Sequence, residues 1–272
     1  MNYICINNGY YNTKICDRQG NINIFDSSVS KAFDNNARET VEIDGVTYEV
    51  GKGNKDINLD KTQSITQRAC IKYAKQKYGY GCDTIISCMA TDTYLNEESR
   101  ESYKDMLREY CSNPVVYMEG LAAVLNDYEY YQDELVCLVD VGGLTINSMI
   151  ISNTELVPGT QRSQKLGTIM FRDRIRKYIE QQVGGNVPEY QVPYLEKQYA
   201  DKVLDEYIQE LKTEFRKANY PSNIKYRFIG GGAQDYKEIW QKHFDNAYIS
   251  NQAIWENVLG LRQLGMIMNG EV

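Results

Sequence analysis

Several features that mark common classes of protein are scarce or missing in this sequence. The single histidine, His243, excludes a cluster of histidine metal ligands, and a Ser-His-Asp triad would have to use that residue. The cysteines number seven and form no CxxC pair, which favours reduced thiols over a disulfide framework or a zinc site. The chemistry of the protein therefore has to come from other residue types.

Long apolar runs are missing too. No stretch reaches the about 18 to 20 apolar residues that a membrane span needs, because the longest candidate, residues 135–151, is interrupted by Asp140, two glycines and Asn147. The first residues lack the basic start of a signal peptide. We therefore expect a cytoplasmic protein without membrane contact.

An excess of positive charge is also missing, since the formal net charge is −7. Neutralising the phosphates of a nucleic acid needs a basic face, so we expect no direct nucleic-acid binding. A role on DNA would have to act through a partner protein. The length of 272 residues allows two modest domains or one large domain with a substantial core.

The order of secondary-structure patterns repeats along the chain. Residues 2–6, 12–17 and 21–26 have the composition and turn residues of three successive strands, and alternating helices and strands follow them. A second hairpin with a third strand starts at residue 135, again followed by helices and a strand. This order predicts an α/β chain in which one unit is duplicated.

Glycines and polar side chains coincide at the turns of the two predicted hairpins. The first turn region contains Asn7, Asn8, Gly9, Tyr10, Tyr11, Asn12 and Lys14, and the second contains Asp140, Gly142, Gly143, Leu144 and Thr145. Glycine lets the backbone turn sharply and present a row of N–H groups to an anion. Two such turns facing each other would clamp a chain of phosphates, with Lys14 adding positive charge and Asp140 holding a magnesium ion through water. Taken alone, the first turn favours an ordinary Asn-Gly hairpin.

A third glycine-rich segment follows a buried strand near the end of the chain. It consists of Gly230, Gly231, Gly232 and Ala233, and a helix is predicted to begin after it, near Asp235. Glycines there allow the backbone to lie flat against a ligand, with a helix N-terminus beside it. Three phosphate-type loops in this order are more specific than any one of them.

These motifs resemble those of the actin-like ATPases. DVGGLT, FIGGGA, the first hairpin and ENVLGLRQLG carry the resemblance, and INNGYYNTK, YEVGKG, YMEGLAAVL and KLGTIMFRD place it closest to the bacterial plasmid-segregation actins of the ParM and AlfA type. The resemblance implies an α/β, actin-like (ribonuclease H-like) fold of duplicated βββαβαβ domains flanking a nucleotide cleft. The first domain would comprise residues 1–134 plus 253–272, and the second, with a reduced subdomain, residues 135–252.

The resemblance also implies roles for individual segments. Residues 5–14 would form the first phosphate loop, 140–145 the second, and 229–233 the adenosine loop. Glu119 falls where this subfamily carries the carboxylate that positions the attacking water, and Asp140 would serve the same catalytic centre. An acid favoured by a helix N-terminus is the alternative interpretation of Glu119.

The sequence departs from the family pattern at three places. Asn7 stands where the family usually has aspartate, and it contributes no charge, so slower hydrolysis or weaker magnesium binding is predicted. Asn147 likewise replaces an acid after the second loop. Only residues 184–198 separate two predicted helices at the position where ParM-type proteins carry a small subdomain, and this resembles AlfA.

The function that the resemblance implies is ATP hydrolysis, or GTP hydrolysis, coupled to polymerisation in the presence of Mg²⁺. The chain would form head-to-tail filaments with itself and would segregate plasmid DNA through a DNA-bound adaptor of the ParR type. Two other functions remain open at this point, namely a small-molecule kinase of the same superfamily and a non-catalytic nucleotide-binding scaffold.

Overall fold

Two mixed β-sheets form the frame of the molecule. The computed structural model describes residues 2–32, 39–53, 55, 61–188, 191–221 and 223–272. The strands of the first half are β1 (Tyr3–Asn8), β2 (Asn12–Asp17), β3 (Ile22–Asp26), β4 (Val29–Lys31), β5 (Thr40–Ile43), β6 (Val46–Val50), β7 (Thr84–Met89) and β8 (Asn113–Met118). Those of the second half are β9 (Leu135–Val141), β10 (Ile146–Ser152), β11 (Glu155–Leu156), β12 (Arg162–Gln164), β13 (Lys225–Ile229) and β14 (Ala247–Tyr248).

Helices cover the faces of these sheets. They are α1 (Ile65–Tyr78), α2 (Thr91–Leu95), α3 (Glu97–Arg108), α4 (Leu121–Asn126), α5 (Tyr128–Tyr131), α6 (Thr168–Val183), α7 (Val192–Lys217), α8 (Gly231–Asp235), α9 (Lys237–His243) and α10 (Glu256–Met268). A short 3₁₀ turn, Ala253–Trp255, leads into α10. None of the helices in the described ranges is both long and apolar enough to cross a membrane.

The two sheets have the same strand order. The first runs β3-β2-β1-β7-β8 and the second runs β11-β10-β9-β13-β14, with β12 pairing antiparallel to β10 as a sixth strand. In each, the first three strands along the chain pair antiparallel, and the two that follow add in parallel on the other side. Parallel neighbours need a crossover connection, which the helices supply. The predicted duplicated α/β fold is therefore confirmed.

The central strands are buried because helices cover both of their faces. Every residue of β1 is buried, and so is every residue of β9 after Leu135. Within the second half, α6 and α7 pack on the sheet through Phe171, Ile175 and Leu211 among others. This agrees with the continuous apolar character that fully buried strands show in sequence.

The C-terminal helix α10 belongs to the core of the first sheet. Val258 and Leu261 pack in one cluster with Tyr3, Cys5 and Ile86. This packing agrees with the predicted domain division, 1–134 plus 253–272 and 135–252, which stays a prediction.

A third sheet, of order β4-β6-β5, occurs only in the first half of the described chain. It packs on α1 through Val41, Ile43 and Tyr48. Strands β4 and β5 were not expected from the sequence. The second half carries no such sheet within the described ranges, as the predicted reduced subdomain requires.

Two predicted helix starts lie too far along the chain. α7 begins at Val192 rather than near Tyr199, because Pro193 occupies its first turn, where a missing N–H costs nothing. The connection between α6 and α7 is therefore residues 184–191, shorter than predicted. Similarly, α8 begins at Gly231, inside the triple glycine, rather than near Asp235.

Candidate functional site

The two glycine turns are closed by the same backbone hydrogen bond at equivalent positions. The amide of Gly9 donates to the carbonyl of Asn12 at 3.2 Å, and the amide of Gly142 donates to the carbonyl of Thr145 at 2.9 Å. A Cβ atom added to Gly9 would lie 2.9 Å from the Asn12 oxygen, and one added to Gly142 would lie 3.0 Å from the Thr145 oxygen. A side chain at either position would crowd the same carbonyl oxygen of its turn, which favours glycine in both turns.

Equivalent strand pairs below the turns carry different charges. Asn7 is paired with Lys14 across β1 and β2, and Asp140 is paired with Asn147 across β9 and β10. Each pair lies one register position below the pair that closes its turn. The duplication thus places a lysine in one half and a carboxylate in the other.

The pKa values of Asp140 and Lys14 are both shifted from their ordinary values. Burial, followed by repulsion from Glu119, raises the pKa of Asp140 to about 6. Burial lowers the pKa of Lys14, while Asp140 and Glu119 act against that shift. Lys14 makes no ion pair with any described residue, and its ammonium nitrogen lies 3.9 Å from the position of a Cβ on Gly9. A positive charge is therefore available directly beneath the first turn.

The two turns and the third glycine segment face one cavity between the halves. The predicted site residues that line it are Asn7, Gly9, Tyr10, Tyr11, Asn12, Lys14, Glu119, Asp140, Gly142, Gly143, Thr145, Gly230, Gly231 and Gly232. Residues from both halves contribute, and they are far apart in sequence. The structure thus brings together most of the site predicted from the motifs.

Three predicted residues do not line this cavity. Asn8 is buried, and its amide donates to the carbonyl of Gln67 at 3.0 Å and accepts from the Thr13 hydroxyl at 2.8 Å. Ala233 is buried in the core of the second half. Leu144 uses its carbonyl to accept from the amide of Gly167 at 3.0 Å.

Glu119 is held by polar side chains from both halves. It follows β8 directly and is buried. Its Oε1 accepts from Lys61 Nζ at 3.3 Å, and its Oε2 accepts from Asn147 Nδ2 at 3.5 Å. Burial acts to lower the pKa of Lys61, but the Glu119 carboxylate and the neighbouring Tyr103 and Tyr10 together outweigh it, so this pKa is raised. The Lys61 ammonium offsets part of the desolvation cost of burying the Glu119 carboxylate.

The third glycine segment packs directly against the second turn. Gly230 has φ +91°, and a Cβ there would lie 2.5 Å from Asp140 Oδ1 and 2.7 Å from the Val141 oxygen. A Cβ on Gly232 would lie 2.4 Å from Cγ2 of Thr168. These glycines therefore serve close backbone packing around Asp140.

The second turn also fixes the start of α6. The carbonyl of Gly142 accepts from the amide of Thr168 at 3.0 Å, and the carbonyl of Gly143 accepts from the amide of Ile169 at 2.9 Å. A helix begins with amides that have no partner within the helix, so these bonds satisfy them. The turn and the first turn of α6 therefore form one hydrogen-bonded unit.

Arg172 closes one side of the cavity. From α6 it donates to the hydroxyl of Tyr11 at 3.1 Å and to that of Tyr236 at 3.2 Å, and it lies 3.5 Å from Asp235. Tyr11 belongs to the first half, so this contact links the halves beside the two glycine turns.

No known protein-family profile matches the sequence, and no curated protein matches it. Solved structures do match by shape. An archaeal actin homolog aligns with a TM-score of 0.81 and 15% identity over 98% of this chain and 100% of that chain. A subunit of a 15-stranded ParM filament from Clostridium botulinum aligns with a TM-score of 0.76 and 16% identity over 98% of this chain and 100% of that chain. An MreB of Spiroplasma citri bound to AMPPNP aligns with a TM-score of 0.74 and 15% identity over 99% and 97%.

The chain has the actin-like fold. At identities this low the matches establish the fold, and the function has to be argued from the site. In the actin-like frame, the cavity lies between the two duplicated halves, at the end of the sheets where the hairpin turns of β1–β2 and β9–β10 face each other.

Several residues of this site were not singled out from the sequence. Thr168, Arg172 and Asn257 line the cavity, and Lys61 reaches Glu119. Thr168, Arg172 and Asn257 lie within the motifs KLGTIMFRD and ENVLGLRQLG, which support the actin-like resemblance but do not show which side chains face the cavity. Lys61 carries no local signal, because its partner is 58 residues away.

We expect Asp140→Asn to change the pH dependence of stability of the ligand-free protein. The folded-state pKa of about 6 exceeds the ordinary aspartate value of about 3.9, so protonation favours the folded state. The free energy of unfolding should therefore fall as pH rises from about 4 to about 6 in the wild type, and this contribution should be missing in the variant. Urea unfolding at four pH values measures it.

The exposed Asp201→Asn is the matched control for this prediction, and it should follow the wild-type profile. If the free energy of unfolding depended on pH identically in the wild type and in Asp140→Asn, the raised pKa of Asp140 would be contradicted.

Proposed function

We propose that this protein is a nucleotide-dependent, filament-forming ATPase of the actin-like type. One observation carries the proposal. Two glycine turns of identical hydrogen bonding, one from each half, face a single cavity that also contains a lysine and two buried carboxylates. Ordinary hairpins need neither the buried charges nor the facing arrangement.

In this proposal the phosphates of the nucleotide lie between the two turns. Backbone amides at Gly9 and Gly142 shape the turns, and Lys14 offsets the negative charge of the phosphates. The segment from Gly230 to Gly232 would contact the adenosine part. We further propose that the halves correspond to the domains 1–134 plus 253–272 and 135–252, which close around the nucleotide.

Glu119 would orient the water that attacks the terminal phosphate. Its carboxylate is buried, is held between Lys61 and Asn147, and lines the cavity. Phosphoryl transfer to water needs mainly a positioned nucleophile and neutralised charge, which these groups supply. A carboxylate fixed from two sides satisfies the first requirement.

The residues around Asp140 fit a magnesium ion that is bound together with phosphates. Mg²⁺ typically keeps several waters and takes one or two carboxylates plus phosphate oxygens. Asp140, through a water, and the amide of Asn7 would hold the ion. The described ranges contain no group of three or more His, Cys, Asp or Glu that could hold a metal by themselves, so the phosphates would have to supply the remaining ligands. When bound, Mg²⁺ neutralises charge on the β- and γ-phosphates.

Self-assembly and the link to DNA complete the proposal. Head-to-tail contacts between copies are heterologous and generate open filaments. An adaptor of the ParR type would connect the filament to plasmid DNA, because an acidic chain lacks the basic face for direct binding. Support for this part comes from the actin-like fold that the chain shares with a ParM filament subunit.

Electron microscopy of the purified protein with ATP, with and without Mg²⁺, tests the proposal, combined with pelleting and phosphate-release assays. We expect filaments in ATP and phosphate release that requires Mg²⁺. A protein that stays in the supernatant and phosphorylates a small molecule would be a kinase. Filaments without phosphate release would indicate a non-catalytic scaffold.

We expect Asn7→Asp to tighten Mg²⁺ binding and to accelerate phosphate release, each by about tenfold. The substitution adds a negative charge at the register position equivalent to Asp140, opposite Lys14. Titration of Mg²⁺ in the phosphate-release assay measures both effects. The control Asn23→Asp adds the same charge on β3. Equal rates and Mg²⁺ affinities in Asn7→Asp and wild type would refute a metal-related role for position 7.

A further inference from the structure

One buried side chain joins the Asp140 carboxylate to the backbone next to Glu119. Asn257, in the first turn of α10, donates from Nδ2 to Asp140 Oδ2 at 2.6 Å. Its Oδ1 accepts from the backbone amide of Gly120 at 2.9 Å. A single amide therefore connects the second-half carboxylate to the peptide unit that follows Glu119.

The backbone on both sides of that peptide unit is constrained. Before it, the amide of Glu119 donates to the carbonyl of Met89 at 2.8 Å, which anchors Glu119 to the end of β7. Gly120 has φ +81°, and a Cβ there would lie 2.9 Å from the Met149 side chain. Asn257 supplies the only described hydrogen bond to the Gly120 amide, so it sets how the peptide plane between Glu119 and Gly120 is turned.

The segment that carries Asn257 also reaches the third glycine loop. The carbonyl of Ala253 accepts from the amide of Gly230 at 2.8 Å, and the amide of Ile254 donates to Gln234 at 3.4 Å. Beyond Asn257, α10 is anchored in the core of the first sheet. Residues 253–257 therefore contact the nucleotide-facing loop of the second half and continue into the core of the first half.

We propose that Asn257 is a positioning residue that couples the closure of the nucleotide cleft to the orientation of Glu119. The coupling rests on the proposed ATPase function and acts through two separate hydrogen bonds. The bond to Asp140 holds the group that faces the phosphates, and the bond to Gly120 holds the backbone of the group that orients water.

The chemistry of the side chain makes the two bonds separable. Asparagine offers one donor and one acceptor group, and this position uses both. Aspartate at 257 would still accept from Gly120 but would face Asp140 with a second carboxylate. Leucine has a similar volume and would make neither bond.

The test compares Asn257→Asp and Asn257→Leu with wild type. In Asn257→Leu, kcat for phosphate release should fall by about 100-fold, because the Glu119 backbone loses its fixed orientation. In Asn257→Asp, kcat should stay within about threefold of wild type while KM for MgATP rises by about tenfold, the value of one hydrogen bond to a charged group. A residue that only stabilised the fold would, in both variants, lower kcat in proportion to the loss of folded protein and leave KM unchanged.

Gln263→Ala, on the same helix and without a described hydrogen bond, is the matched control and should behave as wild type. Urea unfolding of all variants identifies any loss of folding. Should Asn257→Leu not fold, the split between KM and kcat in Asn257→Asp remains the test.

A second readout does not depend on hydrolysis. Hydrogen exchange of the amides in residues 119–126 should slow when ADP is added to wild type and Gln263→Ala, and should not change in Asn257→Leu. ADP protection that persists in Asn257→Leu would overturn the coupling, even if the wild type bound nucleotide without hydrolysing it. Wild-type kcat in Asn257→Leu would overturn it equally.

Discussion

Glu119→Gln is expected to slow phosphate release by about 100- to 1000-fold while leaving nucleotide affinity within a few-fold of wild type. The carboxylate lines the cavity and lies within hydrogen-bonding distance of Lys61 and Asn147, so its orientation is fixed before any water binds. An amide of the same shape keeps the geometry but loses the charge that orients and accepts a proton from water. Single-turnover phosphate release and nucleotide titration measure the two quantities separately.

Two controls separate the loss of charge from its side effects. Glu97→Gln makes the same change on an exposed acid in the first turn of α3 and should leave the rate unchanged. Glu119→Gln also leaves the Lys61 ammonium buried without its counterion, which costs stability. The double variant Glu119→Gln/Lys61→Met should regain stability but not activity. A wild-type rate in Glu119→Gln would rule out the catalytic role.

Gly260→Ala is expected to lower the free energy of unfolding by more than about 4 kcal/mol or to prevent folding. A Cβ at this position would lie 1.7 Å from the carbonyl oxygen and 2.4 Å from the carbonyl carbon of Ala122. Both are backbone atoms of α4, so no rotamer change relieves the clash, and α10 would have to separate from α4. Urea denaturation of the purified variant, or its loss from the soluble fraction, measures the effect.

Gly185→Ala is the matched control, because no atom lies within 4 Å of its added Cβ. We expect a change in the free energy of unfolding within about 0.5 kcal/mol for this control. Equal stabilities of the two alanine variants would mean that α4 and α10 are not in backbone contact.

The fold and most of the site could be predicted because short glycine motifs stand at the ends of predicted strands. A tight turn or a positive φ leaves too little room for a side chain at Gly9, Gly142 and Gly230. Such positions can be recognised in the sequence as short glycine motifs. The duplicated order of strands was likewise visible, because each hairpin and each strand–helix transition leaves its own pattern. The two sheets of identical strand order confirm that prediction.

The contacts that complete the site were not predictable in the same way. Asn257 meets Gly120 across 137 residues and Asp140 across 117 residues, and no local pattern encodes such pairings. A lone lysine such as Lys61 is most often a solvated surface residue, and only the fold buries it beside Glu119. The start of α7 was misplaced because Pro193 interrupts a helix in its interior but not in its first turn.

The hydrogen bonds between the second glycine turn and the first turn of α6 couple the orientation of that helix to the position of the turn. α6 has 16 residues and is therefore about 24 Å long, and its base is tied to the carbonyls of Gly142 and Gly143. A tilt of about 5° at the base would move the far end of the helix, at Val183, by about 2 Å. Val183 is exposed, so a small movement beside the cavity would change the outer surface of the second half.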